Sequence, residues 1–253
     1  MRSVDQTLDV LELLARADRP VGVTEIARSL GLSPSGVHRL LATLRERGYA
    51  AQDPATGRYT RGLQCFSLAA LAASRQTLRA VADDHLRALN QATGEAVHLT
   101  VYESGHVVYI DKLESHHETA PVSRVGEQAP AHCVATGRAI IAYLPLTEIE
   151  MLIERGLQHF TDSTIADRAA LLVDLQATRT RGYALNRGSW RAAVGGVAAP
   201  IRDFSGMVQA SVGCCLPLER LTDEATAGLA AQTIQTAAAI SEELGFVVPG
   251  APA

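Results

Sequence analysis

The chain has 253 residues, 47% of them hydrophobic and 20% charged, with a formal net charge of −4, a length that suits about two domains rather than one small core. No apolar run reaches the roughly 18 residues a membrane helix needs. Asp5, Asp9 and Glu12 break up the N-terminal apolar stretch, so a secretory signal is not expected either, and the chain is assigned to the cytoplasm with its four cysteines (Cys65, Cys133, Cys214, Cys215) reduced.

From the N-terminus, Val4, Leu8, Leu11, Leu14 and Ala15 form one apolar face of a helix over 4–17. Residues 24–48, TEIARSLGLSPSGVHRLLATLRERG, then read as a short helix, a tight turn and a second helix. Thr24 is the expected cap of the first helix, which ends at Gly31, and Leu32 fills the corner. Ser33 caps the second helix, and Pro34 suits its first position because that N–H has no intrahelical partner. Val37, Leu40, Leu41 and Leu44 repeat at helical spacing, which leaves Ser35, His38, Arg39 and Arg45 on the opposite face. This is the pattern of a helix-turn-helix whose second helix enters the major groove of double-stranded DNA. YAAQ-DPATG-RYTR follows as two short strands around an Asp, Pro and Gly turn, a wing that puts Arg58 and Arg61 within reach of the sugar-phosphate backbone. Residues 1–61 hold nine arginines against seven acids, whereas the remainder holds fourteen basic and twenty acidic residues, so the negative charge belongs to a separate module.

After the wing, Leu63, Phe66, Leu68, Ala70 and Leu71 predict a linker helix, followed by a second helix over about 77–91. From Glu95 the period becomes two, and EAVHLTVYESGHVVYIDKLES predicts a hairpin about Ser104-Gly105. A further strand near 182–186 precedes VGGVAAPIRDFSGMVQASVGCCLP, a long hairpin turning at Phe204-Ser205-Gly206. Helices are predicted at 134–144, 147–156, 167–181 and 222–244, the last capped by Thr222 with Asp223 and Glu224 in its first turn. Strand pairs interleaved with helices indicate an α+β domain around an antiparallel sheet.

SVDQTLDVLELL, TEIARSLGLSPSGVHRLLATLRERGY, TGRYTRGL, VVYIDKLES, RVGEQAPAHCVATGRAIIAYLP, TRGYALNRG, GGVAAPIRDFSG and RLTDE occur in this order. With them the chain resembles, over nearly its whole length, the IclR family of bacterial transcriptional regulators. The resemblance implies a winged helix-turn-helix over 1–62, a linker helix over 63–76, and over 77–253 a GAF-like domain that binds a small-molecule effector and assembles dimers or tetramers on palindromic operators. No catalytic residue, metal or cofactor is implied.

Residues 131–137, AHCVATG, precede a helix, and N–H groups at such an end suit a carboxylate or phosphate. In proteins of this family that loop is one wall of the effector pocket, which assigns Cys133, Val134, Ala135 and Thr136 to it. Asn186, Gly196, Gly213 and Cys215 fall on the other walls. Many relatives carry an acidic residue near Asn186, a cysteine at the Gly196 position and serines at those of Gly213 and Cys215, so the resemblance implies a roomier, less polar pocket here. Trp190, with Arg187 and Arg191 beside it, either stacks over an anionic effector or packs at a domain interface. His98, His106, His116, His117 and His132 lack ligand spacing, so no metal is expected. The reading from a different class is a cysteine-based redox enzyme or redox sensor, in which Cys133, Cys214 or Cys215 reacts; adjacent Cys214 and Cys215 would face opposite sides of a strand.

Overall fold

A computed structural model describes residues 2–72, 76–118 and 123–246. The chain divides into two units, residues 1–76 and 77–253.

In the first unit, α1 (Arg2–Arg16), α2 (Val23–Leu30) and α3 (Pro34–Glu46) are followed by β1 (Ala50–Gln52), β2 (Tyr59–Arg61) and α4 (Leu63–Ala72). Ser33 caps α3, its hydroxyl accepting the Gly36 N–H at 3.1 Å, with Pro34 in the first helical position. Gly31 takes φ 64° to end α2, a left-handed conformation that costs glycine nothing. The expected cap at Thr24 is displaced. Gly22 occupies the N-cap and Thr24 lies exposed in the first turn, because the helix begins at Val23 to carry Ile26 and Ala27 into the core. Val10, Leu14, Ile26, Val37, Leu41, Leu44 and Tyr59 close that core, and full burial of each large aliphatic side chain contributes about 1.5–3 kcal/mol. β1 and β2 pair antiparallel and Tyr59 bridges to Val21, which ties the wing to the chain before α2. At its tip the Asp53 carboxylate accepts the Thr56 hydroxyl and the Ala55 N–H, and these bonds hold its pKa below the ordinary value.

The second unit contains α5 (Gln76–Thr93), β3 (Ala96–Glu103), β4 (His106–Leu113), β5 (Gln128–Pro130), α6 (Ala135–Ile141), α7 (Leu146–Glu154), α8 (Arg168–Arg181), β6 (Ala184–Arg187), β7 (Val194–Arg202), β8 (Val208–Pro217) and α9 (Asp223–Glu243). The six strands form one antiparallel sheet in the order β5-β4-β3-β8-β7-β6. Ser104 (φ 48°) and Gly105 (φ 96°) make the two-residue turn between β3 and β4. Strand β5, three residues long, is absent from the sequence-based expectation because alternation cannot register over so short a run.

Alternation on the central strands separates two faces. Val97, Leu99, Val197, Ala199, Val212 and Cys214 pack with Leu86 of α5 and Ala230, Ala237 and Ile240 of α9. His98, Thr100, Ser211, Gly213 and Cys215 lie on the other face, toward α6. Helices α7 and α8 close the core on α6's side, where Ile149, Leu152, Leu171 and Leu175 meet Ile140 and Ile141. The unit is three-layered, helices on both sides of the sheet.

Candidate functional site

On α3, Ser35, His38, Arg39 and Arg45 are all exposed, and the side chains of His38 and Arg39 make no hydrogen bond or ion pair among the described residues. Arg45 donates to Gln52 of the wing at 2.6 Å. The wing arginines are used differently. Arg58 donates to Pro20 O (2.9 Å) and pairs with Glu25 (2.7 Å), while Arg61 donates to Ala15 O at 3.1 Å. Glu25 is held below its ordinary pKa by its bond to Arg19 and then by the charges of Arg19 and Arg58. Arg58 and Arg61 therefore brace the wing against α1 and α2, whereas Arg39 on α3 is uncommitted among the described residues.

In the second unit, Gly137 sets the position of α6. A Cβ there would lie 2.2 Å from Ala131 O and 2.4 Å from Ala131 Cα, so only glycine lets the helix start fold back on the preceding loop. Ala135 and Ala139 then rest on Ala184 and Ala198 of the sheet. Ser211 ties the two together, its hydroxyl bonded to Thr136 O (2.8 Å) and to the Thr100 hydroxyl (2.9 Å).

Between α6 and the sheet lies a cavity enclosing about 510 Å³ with its open mouth included. Its walls contain every residue expected at the pocket except Cys133: Val134, Ala135, Thr136, Asn186, Trp190, Gly196, Gly213 and Cys215 all line it. Cys133 is wholly buried behind the wall. The two glycines do not provide spare room. A Cβ at Gly196 would meet Cys214 O at 2.7 Å, and one at Gly213 would meet Val197 O at 2.7 Å. They permit close strand contact, which corrects the expectation of a roomier pocket.

The loop from Gly188 to Ala193 carries Trp190 and Arg191 to the mouth. Gly188 (φ 81°) turns it, and the Ser189 N–H donates to the Asn186 side chain at 2.8 Å. Thr161 and Thr164 clasp it from outside, donating to Gly188 O (2.6 Å) and Ser189 O (2.7 Å). The Arg191 guanidinium lies 4.4 Å from the Trp190 ring centroid and pairs with Glu127 at 3.3 Å. Since Arg191 lies in the loop after β6, one edge strand, and Glu127 immediately precedes β5, the other, this ion pair links segments next to the two edges of the sheet. Arg187 takes no part: it bonds Leu221 O and Asp223, on the side of α9.

Sequence reasoning missed three further residues that line the cavity, His98, Tyr109 and Ser123. The Ser123 hydroxyl and His98 Nε2 are 2.7 Å apart, and the Tyr109 ring meets His98 edge-on at 4.8 Å. Burial, and then the charge of Lys112, lowers the His98 pKa to about 3, so the imidazole is neutral. Burial also raises the Tyr109 phenol. The available signal was the period of two, which puts His98 on the same face as Gly213 across the β3–β8 pair.

The thiols are not activated. Burial pushes Cys133 and Cys215 up to about 12 and Cys214 to about 11, far from the thiolate character that nucleophilic or redox chemistry needs. Among the described residues no cluster of His, Cys, Asp and Glu could hold a metal, and no helix is long and apolar enough to cross a membrane.

A family model described as "IclR helix-turn-helix domain" matches residues 3–54, and one described as "Bacterial transcriptional regulator IclR C-terminal" matches residues 70–242. The chain belongs to the IclR family. It is a DNA-binding transcriptional regulator. It is 32% identical to the HTH-type transcriptional regulator XynR of Escherichia coli (strain K12) over 97% of this chain and 98% of that one. The crystal structure of the Thermotoga maritima IclR superposes with a TM-score of 0.77 at 28% identity, covering 97% of this chain and all of that one. An IclR homolog from Microbacterium hydrocarbonoxydans, solved in complex with 4-hydroxybenzoate, shares the fold with a TM-score of 0.80 at 24% identity, over 96% and 98% of the two chains. IclR-family relatives are named as regulators and not as enzymes, which, with the protonated thiols, leaves the redox alternative unsupported.

Proposed function

We propose that this IclR-family protein is a cytoplasmic regulator whose operator binding is modulated by a small carboxylic acid with an apolar or aromatic body. The domain roles are 1–62 for DNA, 63–76 for the link and 77–253 for the effector and assembly. The cavity in the second unit carries the effector reading. Arg191 at its mouth is a cation already engaged by one carboxylate, Glu127, and a ligand carboxylate fits the same geometry. Trp190 offers a ring face beside it. Helix α6 is only seven residues long, so charge selection is assigned to Arg191 rather than to the helix end. Coupling requires that the acid bind one conformation better than another. Small carboxylic acids, titrated against a fluorescent operator complex and against the protein's melting temperature, test the reading; the expected result is a shift in both for at least one acid, and none in either would remove it.

On the DNA side, Arg39→Ala should weaken operator binding by about 1–3 kcal/mol. If Arg39 reads a base, the variant loses sequence preference; if it clamps a phosphate, the salt slope falls by about one and all sequences weaken alike. Unchanged affinity in the folded variant would remove Arg39 from the interface.

Assembly of two copies is supported by apolar side chains left bare on the first unit: Val4 (62% exposed) and Leu8 on α1, Leu63 (79%) and Phe66 (71%) on α4. A palindromic operator matches a two-fold dimer. The double variant Leu63→Glu, Phe66→Glu should sediment as a smaller species and bind the full operator at least tenfold more weakly, an expectation overturned if its sedimentation equals wild type.

A further inference from the structure

In the first unit a single side chain joins α3 to the wing. Gln52, the last residue of β1, uses both ends of its amide: Oε1 accepts from Arg45 of α3 at 2.6 Å, and Nε2 donates to Gly57 O in the wing turn at 3.0 Å. A guanidinium only donates and a carbonyl only accepts, so the amide has one workable orientation. A charged side chain would fail at one end, a carboxylate against Gly57 O or a cation against Arg45. The turn that Gln52 holds is itself closed. The Gly57 N–H donates to Asp53 O at 2.8 Å, the Asp53 N–H to Arg58 O at 2.9 Å, and Gly57 takes φ 68°. Arg58 and Arg61 tie the same wing to Pro20 O and Ala15 O. Three arginines are thus spent on the wing's position, while Arg39, exposed on the same helix as Arg45, makes no hydrogen bond or ion pair among the described residues.

We propose that Gln52 is a positioning residue for DNA reading: it fixes the wing to the recognition helix through Arg45, and Arg45 is thereby withheld from the phosphates. This rests on the reading of α3 as the helix that enters the major groove. Sequence-specific contact needs helix and wing to meet the duplex in one register, which backbone contacts set. A wing already fixed in place does not have to be ordered at the moment of binding. Non-specific binding is carried by charge and tolerates looser geometry. Breaking the Gln52 bridge therefore lowers specific binding more than non-specific binding.

The test titrates the full-length protein, by fluorescence anisotropy across a salt series, against two duplexes. One is selected by the wild type from a random-sequence pool, and the other is a scrambled duplex of the same length. Arg45→Met, which keeps the stem and removes the donor, should cut the ratio of the two affinities about tenfold, as loss of a charge-assisted hydrogen bond implies, and leave the salt slope at the wild-type value. Gln52→Ala should cut the ratio similarly, with a slope steeper by about one, because the released guanidinium becomes available to a phosphate. A slope shallower by about one in Arg45→Met would place Arg45 on a phosphate in the wild type, and an unchanged ratio in Gln52→Ala would show the bridge idle. Either result overturns the assignment. Should Gln52→Ala fail to melt as a folded protein, Arg45→Met, altered at an exposed side chain, still decides it by slope and ratio. Arg39→Ala separates this proposal from the reading beneath it. If Arg39→Ala changes neither slope nor ratio, α3 is not the reading helix and both fall; if it weakens binding while Arg45→Met and Gln52→Ala match wild type, only the bridge fails.

Discussion

Gly137→Ala should destabilise the second unit by about 3 kcal/mol or more, at the severe end for a single methyl group. The added Cβ would lie 2.2 Å from Ala131 O, 2.4 Å from its Cα and 2.7 Å from its carbonyl carbon, all backbone atoms that cannot rotate aside. Helix α6 cannot retreat either. Ala135 and Ala139 hold it against Ala184 and Ala198, and Ser211 holds Thr136 O. Any shift also displaces Val134, Ala135 and Thr136 from the cavity wall, so affinity for the proposed effector should fall with stability. Gly228 in α9 is the control: a Cβ there meets nothing within 4 Å, and Gly228→Ala should instead stabilise by about 0.5–1 kcal/mol through helix propensity alone. Urea midpoints for the two variants settle the comparison, and a Gly137→Ala midpoint equal to wild type would show that the helix start has slack.

Asp174→Ala is the second large effect, at about 3 kcal/mol of destabilisation, because it leaves a buried guanidinium without its counter-charge. Arg138 is 2% exposed, with one nitrogen 3.3 Å from Asp174 and another donating to Leu185 O at 2.7 Å, while its Nε has no partner. Burial already pushes the Arg138 pKa down, and Asp174 opposes that with its charge. Arg181, 3.8 Å from the same carboxylate, loses a partner too but is more exposed. The informative companion is Asp174→Ala combined with Arg138→Met. Replacing both charges with apolar groups should recover most of the loss, since a buried ion pair is often no more stabilising than a well-packed apolar substitute. If the double variant is as unstable as the single one, packing of the Asp174 stem and not the orphaned charge explains the defect. Thermal melts of the three proteins decide it.

The helix-turn-helix of the first unit was legible almost residue by residue, whereas on α1 Val10 is buried and the expected core residues Val4, Leu8 and Ala15 are exposed. Ser33-Pro34 fixed the start of α3, Gly31 the end of α2, and the spacing of Val37, Leu41 and Leu44 the buried face, because caps and helical periodicity are local effects written in consecutive residues. The same logic failed at Thr24, where a good capping residue stands two positions inside the helix: burial of Ile26 and Ala27 outweighed one cap hydrogen bond. The two long hairpins of the second unit and the opposed faces of Cys214 and Cys215 followed from a period of two.

What local pattern could not convey was anything set by strand order. His98 and Tyr109 sit on adjacent strands whose register shifts between Leu99 and Thr100, and Ser123 reaches them from a loop. Arg187 and Arg191 look equivalent in sequence, yet one turns to α9 and the other pairs with Glu127, 64 positions away. Arg58 and Arg61 look like free wing cations until α1 and α2 supply their partners. Gly196 and Gly213 look like space until a neighbouring strand's carbonyl is found 2.7 Å from the missing Cβ. The sequence by itself determined most of the elements, the family and the helix-turn-helix pattern, since those depend on neighbours within a turn or a strand pair. The tertiary structure alone decided which charges are spent, since that depends on groups that only the folded chain brings within hydrogen-bonding distance.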